Sequence, residues 1–147
     1  MTVTLHYPDR DQLMIGLAGL VADQLRDAIV ANGQASLAVP GGTTPAPFLV
    51  ALSRADLDWS KVFVMLTDER FVPETSDRSN TRLLRETLLQ NTAVNASLVP
   101  FYAPAAQPED VLDQLSAIIA VALPLDVCVL GMGEDMHTAS IFPAADR

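Results

Sequence analysis

Lysine, cysteine and histidine are scarce in this sequence, and each scarcity removes a class of protein. Lys61 is the one lysine, and nine basic residues face 18 acidic ones, for a formal net charge of −9. A chain so poor in basic groups is an unsuitable partner for nucleic acid or for an anionic membrane surface. Cys128 is the single cysteine. It excludes an internal disulfide framework and a cysteine-based zinc site, and it suits a reducing compartment. The two histidines, His6 and His137, have no further histidine or cysteine at ligand spacing, which argues against a metal site. Long apolar runs are missing too. The most apolar stretch, residues 117–125, falls far short of the ~20 residues that span a bilayer, and Pro124 and Asp126 interrupt it. The opening MTVTLHYPDRDQ has no basic region followed by an apolar one, so no signal peptide is expected. With 147 residues, half of them hydrophobic, the expectation is one soluble cytoplasmic domain with a substantial core.

Helical and strand-like stretches alternate along the chain. Over residues 11–31, Leu13, Leu17, Leu20, Leu25 and Ala28 recur at helical spacing, with Asp9 and Asp11 at the start and Gly33 after the end. Residues 35–39 read as a buried strand closed by Pro40-Gly41-Gly42. Thr43 or Thr44 is expected to cap a helix that runs to about residue 54. Residues 61–66 (KVFVML) form a second buried strand, residues 67–79 a polar loop, and residues 80–90 a helix. A weaker strand covers 97–101, and Pro108-Glu109-Asp110 opens another helix. Residues 125–130 (LDVCVL) make a fourth strand, with Cys128 read as inert core.

This alternation predicts an α/β fold, a mostly parallel sheet with helices on both faces of Rossmann-like type. Ligands in such folds bind beyond the carboxyl ends of the strands. Three loops leave strand ends: Gly41-Gly42-Thr43-Thr44-Pro45, Thr67-Asp68-Glu69-Arg70, and residues 131–143, GMGEDMHTASIFP. The glycines of the first loop let a backbone approach a ligand, and the helix start behind them offers N–H donors; a plain turn with a cap would look the same. Arg70 in the second loop presents a planar fork suited to phosphate. Arg78, Arg82 and Arg85 lie close behind it, and a set of surface ion pairs among Asp68, Glu69, Asp77, Glu86 and these four arginines is the plainer explanation of that cluster. In the third loop His137 is a candidate general base, since an imidazole with an unperturbed pKa near ~6.5 accepts a proton readily at neutral pH. Asp135, two residues earlier, is the candidate to orient it. The third loop lacks the last glycine of a dinucleotide fingerprint, no G-x-x-x-x-G-K-[ST] occurs, and Ser140 has no G-x-S-x-G around it.

Taken together, the GGTTP loop, Trp59, Asp68-Glu69-Arg70, Ser79-Asn80 and residues 131–143 closely resemble the 6-phosphogluconolactonase family. That family carries a GG-S/T-TP loop, a DER loop, an SN pair and a G-x-G-x-D-G-H-T-A-S-L-F-P segment in the same order. The resemblance covers about residues 41–143, and HTASIFP is its most specific part. It implies the fold shared with sugar-phosphate isomerases and glucosamine-6-phosphate deaminase. It also implies hydrolysis of 6-phosphoglucono-1,5-lactone to 6-phosphogluconate, in the oxidative branch of the pentose phosphate pathway, with no metal or organic cofactor. On this reading His137 and Asp135 are catalytic, and Gly41, Gly42, Thr43, Thr44, Asp68, Arg70, Ser79, Asn80 and Gly133 bind a small anionic sugar phosphate.

Met136 stands where the family has glycine before the histidine, which would strain the loop if that position needs a positive φ. Glucosamine-6-phosphate deaminase is the nearest alternative, but that family has tyrosine after Asp-Glu and a His-Ile-Ala-Phe-Asn-Glu run in the third loop. A non-catalytic sugar-phosphate sensor would not need His137. Members of the resembled family continue well past the HTAS segment. The 147 residues are therefore expected to be an N-terminal portion of the family's domain, with an open sheet flank available for self-association.

Overall fold

The computed structural model describes residues 1–145. Helix α1 (Arg10–Asn32) starts where the Asp9 carboxylate accepts the Gln12 N–H at 2.8 Å, and it ends at Gly33, whose φ of 79° makes the left-handed cap. Strand β1 (Ala35–Val39) pairs in parallel with β2 (Val62–Leu66) over all five residues, Ala35 opposite Val62 and Val39 opposite Leu66. Two short strands flank them, β3 (Ser97–Leu98) beside β2 and β4 (Val127–Cys128) beside β1. The sheet is parallel throughout, in the order β3-β2-β1-β4.

Alternation along the two central strands builds two cores. Ala35, Leu37 and Val39 of β1 join Val62, Val64 and Leu66 of β2 on one face. There they pack against α1, α2 (Ala46–Leu52), the buried Trp59 and α3 (Asn80–Thr87). Ala38 and Met65 face the other way, into a smaller cluster with Val99, Ala122 and Ile119 at the end of α4 (Leu112–Ala120). Covering both faces explains why β1 is buried at all five positions and why its sequence does not alternate in polarity. Ser36 is the polar exception. Its N–H donates to the Asp126 carboxylate at 2.8 Å and its hydroxyl accepts the Asp126 N–H at 3.0 Å, which pins the start of β4 to β1.

The structure corrects several expectations. In α1 the buried residues are Met14, Ala18, Val21, Ala22 and Leu25, while Leu13 and Leu20 are exposed. The helix is apolar around most of its girth, so spacing alone did not select its inner face. Helix α2 is shorter than expected, and neither threonine caps it. Pro45 occupies the N-cap with no side-chain hydrogen bond. The third and fourth strands pair over two residues each. After β3, Val99 still donates to Val64 O at 2.8 Å, but Pro100 has no N–H to continue the ladder. Beyond β4, Val129 donates to Ala38 O at 2.9 Å before the glycine-rich loop departs. Cys128 is exposed rather than core. Pleating turns Val127 into the large core and sends Cys128 to the opposite face, at the edge of the sheet. No described helix is long and apolar enough to cross a membrane.

Candidate active site

Parallel strands bring the loops after β1, β2 and β4 to one edge of the sheet, where they surround a cleft of about 650 Å³. Leu13, Met14 and Leu17 of α1 and Phe48 of α2 supply its apolar wall. Of the residues singled out from sequence, Gly41, Gly42, Thr44, Asp68, Arg70, Asn80, Gly133 and His137 line it. Thr43, Ser79 and Asp135 do not.

The loop after β4 is folded around His137. Met136 N–H donates to Gly133 O at 2.9 Å, and Gly133 N–H donates to His137 O at 2.9 Å, closing a tight turn. His137 Nδ1 lies 2.5 Å from Asp135 Oδ1. The His137 ring is the leading cause that holds the Asp135 carboxyl below its ordinary range, followed by the His137 backbone N–H. An ionised carboxylate only accepts, so in the neutral imidazole the proton sits on Nδ1, toward Asp135, and the lone pair on Nε2. Phe142 stacks on the imidazole, centroids 4.8 Å apart at 24°. Thr138 and Ile141 form a two-residue hairpin, at whose tip the Ser140 hydroxyl donates to Asp68 Oδ2 at 2.6 Å, joining the third loop to the second.

Two backbone positions set this geometry. A Cβ on Gly133 would lie 2.2 Å from His137 Cε1 and 2.3 Å from Nδ1, so the ring rests directly on the glycine. Gly133→Ala is expected to swing the imidazole away from Asp135 and lower kcat at least about tenfold with the fold intact. Circular dichroism and turnover, measured together, check this. Met136 has a φ of +66° and is 67% exposed, so its side chain packs little while its backbone is left-handed. Such a conformation costs a non-glycine residue about 1–2 kcal/mol, whereas glycine adopts it freely. Met136→Gly is therefore expected to stabilise the chain by up to about 1 kcal/mol in urea unfolding, after the entropy that glycine loses on folding is subtracted.

The loop after β2 holds two charged side chains in opposite states. Arg70 makes no ion pair among the described residues; its Nη1 donates to Arg78 O at 2.8 Å and, at 3.5 Å, to Asn80 Oδ1. By contrast Arg82 is paired with Asp77 and Glu86, and Arg85 with Glu74. The ion-pair explanation holds for those two arginines and fails for Arg70 and Arg78, neither of which makes an ion pair among the described residues. Glu69 turns inward from the same loop and collects five hydrogen bonds, four from the start of α3 and one from the Arg70 N–H. Sequence reasoning missed it, although its spacing to Ser79-Asn80-Thr81 was visible. Ser79 caps α3, accepting the Arg82 N–H at 3.2 Å, and donates to Glu69.

The loop after β1 passes close to Asn80. A Cβ on Gly41 would fall 2.1 Å from the Asn80 side-chain carbon, so only glycine lets the two loops meet there. The backbone N–H groups of Gly42, Thr43 and Thr44 find no acceptor among the described residues. Arg10, at the start of α1, donates to Thr44 O at 3.2 Å and steadies the loop. No group of three or more metal-ligating side chains occurs among the described residues.

A parallel α/β sheet that gathers its loops at the carboxyl ends of the strands defines the Rossmann-like class. The family model for glucosamine-6-phosphate isomerases/6-phosphogluconolactonase matches residues 8–147, and the chain belongs to that family. A 6-phosphogluconolactonase of Mesorhizobium japonicum is 53% identical over 95% of this chain and 59% of its own length. One from Rhizobium meliloti is 48% identical over 100% of the chain and 64% of its own length. The crystal structure of a 6-phosphogluconolactonase from Shewanella baltica superposes with a TM-score of 0.88 at 40% identity, covering 95% of this chain and 60% of that one. The chain spans about three fifths of the length of these relatives.

Proposed function

We propose that this chain carries the lactone-hydrolysing site of a 6-phosphogluconolactonase, converting 6-phospho-D-glucono-1,5-lactone to 6-phospho-D-gluconate. The observation that carries the reading is that His137, in contact with Asp135, lines the same cleft as the unpaired Arg70. Arg70 binds the phosphate by its guanidinium fork. His137 Nε2 takes a proton from water as the water oxygen bonds to lactone C1. Charge then develops on the carbonyl oxygen, and the free N–H groups of Gly42 and Thr44, two residues that line the cleft, are the donors we assign to it. As the tetrahedral centre collapses, the bond from C1 to the ring oxygen breaks and His137 returns the proton to that oxygen. Asp135 holds the ring in the tautomer that this needs, and Asp68 and Asn80 complete the polar side of the cleft. No step calls for a metal or an organic cofactor, and a free exposed thiol at Cys128 suits the cytoplasm.

The reading is tested by acid release from the phosphorylated lactone, with ammonia release from glucosamine 6-phosphate as the counter-assay. Acid release alone is expected. Ammonia without acid would overturn the reading in favour of a deaminase, and ligand binding with neither product would favour a sensor.

A further inference from the structure

We propose that Glu69 is the positioning residue of the phosphate subsite: its carboxylate ties the Arg70 backbone to the start of α3 and so aims the Arg70 guanidinium into the cleft. This rests on the assignment of Arg70 to phosphate made above. Glu69 Oε1 accepts the Arg70 and Asn80 N–H groups, each at 2.8 Å. Oε2 accepts the Thr81 N–H at 2.7 Å, the Thr81 hydroxyl at 2.8 Å and the Ser79 hydroxyl at 3.2 Å. Five donors occupy the lone pairs of both oxygens, so the carboxylate has no capacity left for a substrate.

Its effect passes through its neighbours. The two acceptors that hold the Arg70 guanidinium are Arg78 O and Asn80 Oδ1, and both lie at the start of α3, where Glu69 binds. Asn80 in turn donates to Asp68 O at 3.2 Å, closing the link back to the end of β2. Other contacts hold residues 67–79 at Asp68, Glu74 and Asp77, but Glu69 makes the hydrogen bond that holds the Arg70 backbone N–H. The arrangement also answers an electrostatic difficulty. A carboxylate one residue from the phosphate ligand would ordinarily repel the substrate or neutralise the arginine. Here its negative charge is spent on the N–H groups and the positive dipole end of α3, and Arg70 forms no ion pair among the described residues.

The test is a double-mutant cycle on the 147-residue chain, read by titration with 6-phosphogluconate and, separately, with unphosphorylated gluconate, followed by NMR. Glu69→Gln is expected to weaken 6-phosphogluconate binding about tenfold, the size of a misplaced charge-assisted hydrogen bond, and to leave gluconate binding unchanged. Arg70→Ala should weaken it at least as much, and Glu69→Gln should add nothing in the Arg70→Ala background. Thr81→Val, which removes one of the five donors and keeps the shape, should give a smaller loss of the same kind and stands in if Glu69→Gln does not fold. Parent-like affinity in the Glu69 and Thr81 variants, independent addition of the two losses, or a parent chain that does not bind 6-phosphogluconate would each overturn the proposal. A parent that binds 6-phosphogluconate yet hydrolyses no lactone would sink the lactonase reading and leave the role of Glu69 standing.

Discussion

Replacing His137 with asparagine is expected to lower kcat for the phosphorylated lactone by about 10²–10⁴-fold, with a much smaller change in KM. Asparagine can donate and accept hydrogen bonds, and it fits the space beside Gly133, but it cannot take a proton from water near neutral pH. The loss should therefore fall on the chemical step. The companion variant Asp135→Asn separates the base from its orienting partner. An amide at position 135 can donate to Nδ1, which favours the tautomer that places the proton on Nε2 and removes the lone pair facing the cleft. Its kcat should fall by at least about tenfold while the cleft still binds product. The pair sits on a single tight turn, with 2.5 Å between Nδ1 and the carboxylate, so neither change disturbs the core. An asparagine variant that kept most of its lactonase activity would remove His137 from the chemistry.

The sign of the pH effect follows from the same contact. The His137 ring and backbone N–H hold the Asp135 carboxyl below its ordinary range, so it is ionised at neutral pH and remains so into mild acid. Any falling activity on the acid side near neutrality is then not due to protonation of Asp135. Glu69 behaves in the same direction for a different mixture of reasons. Burial pushes its pKa up, and the N–H groups of Asn80 and Thr81, the Thr81 hydroxyl and the Arg70 N–H outweigh that push, so the net shift is downward. Its clamp contributes fully above the ordinary glutamate range and is lost only as pH falls through the depressed value.

How much of this was legible before any coordinates depends on where each residue sits in the sheet. β1 and β2 were readable to within a residue because both lie in the centre, and burial on two faces demands an unbroken apolar run. β3 and β4 were overestimated because edge strands pair on one side only. Pro100 and the glycines after Val129 end them in ways that apolar character does not report. Cys128 was misplaced for a related reason: an edge strand exposes one face, and an apolar run does not say which. Asp135, His137 and Arg70 stand out as candidates because they follow strand ends, where parallel α/β sheets place their ligands. Glu69 was overlooked because an acid beside an arginine reads as its ion-pair partner. The signal that could have found it lay eleven residues further on, where Asn80 and Thr81 open a helix whose N–H groups need an acceptor. The strain at Met136 was legible as a condition, and the φ of +66° meets that condition.

Arg70→Ala is expected to raise KM for 6-phosphogluconolactone by about 100-fold, the scale set by losing a bidentate charge-assisted contact of about 3 kcal/mol. Unphosphorylated glucono-1,5-lactone should be turned over with its KM unchanged, because the residues that act on the lactone ring, His137 and the loop after β1, do not depend on the guanidinium. The contrast between the two substrates is what assigns Arg70 to the phosphate; a rise in KM for both would mean that the loop had collapsed. Arg70→Lys should recover little. Lysine keeps the charge but has no planar fork, and it cannot donate to Arg78 O and Asn80 Oδ1 while also reaching a phosphate. Two of its neighbours are committed elsewhere. Arg82 is held by Asp77 and Glu86, and Arg85 by Glu74, so moving either to the cleft would first break ion pairs already made. In a chain with twice as many acidic as basic residues, an arginine at the cleft that makes no ion pair among the described residues is the group proposed to meet the phosphate. An Arg70→Ala variant with an unchanged KM for the phosphorylated lactone would remove it from the phosphate subsite.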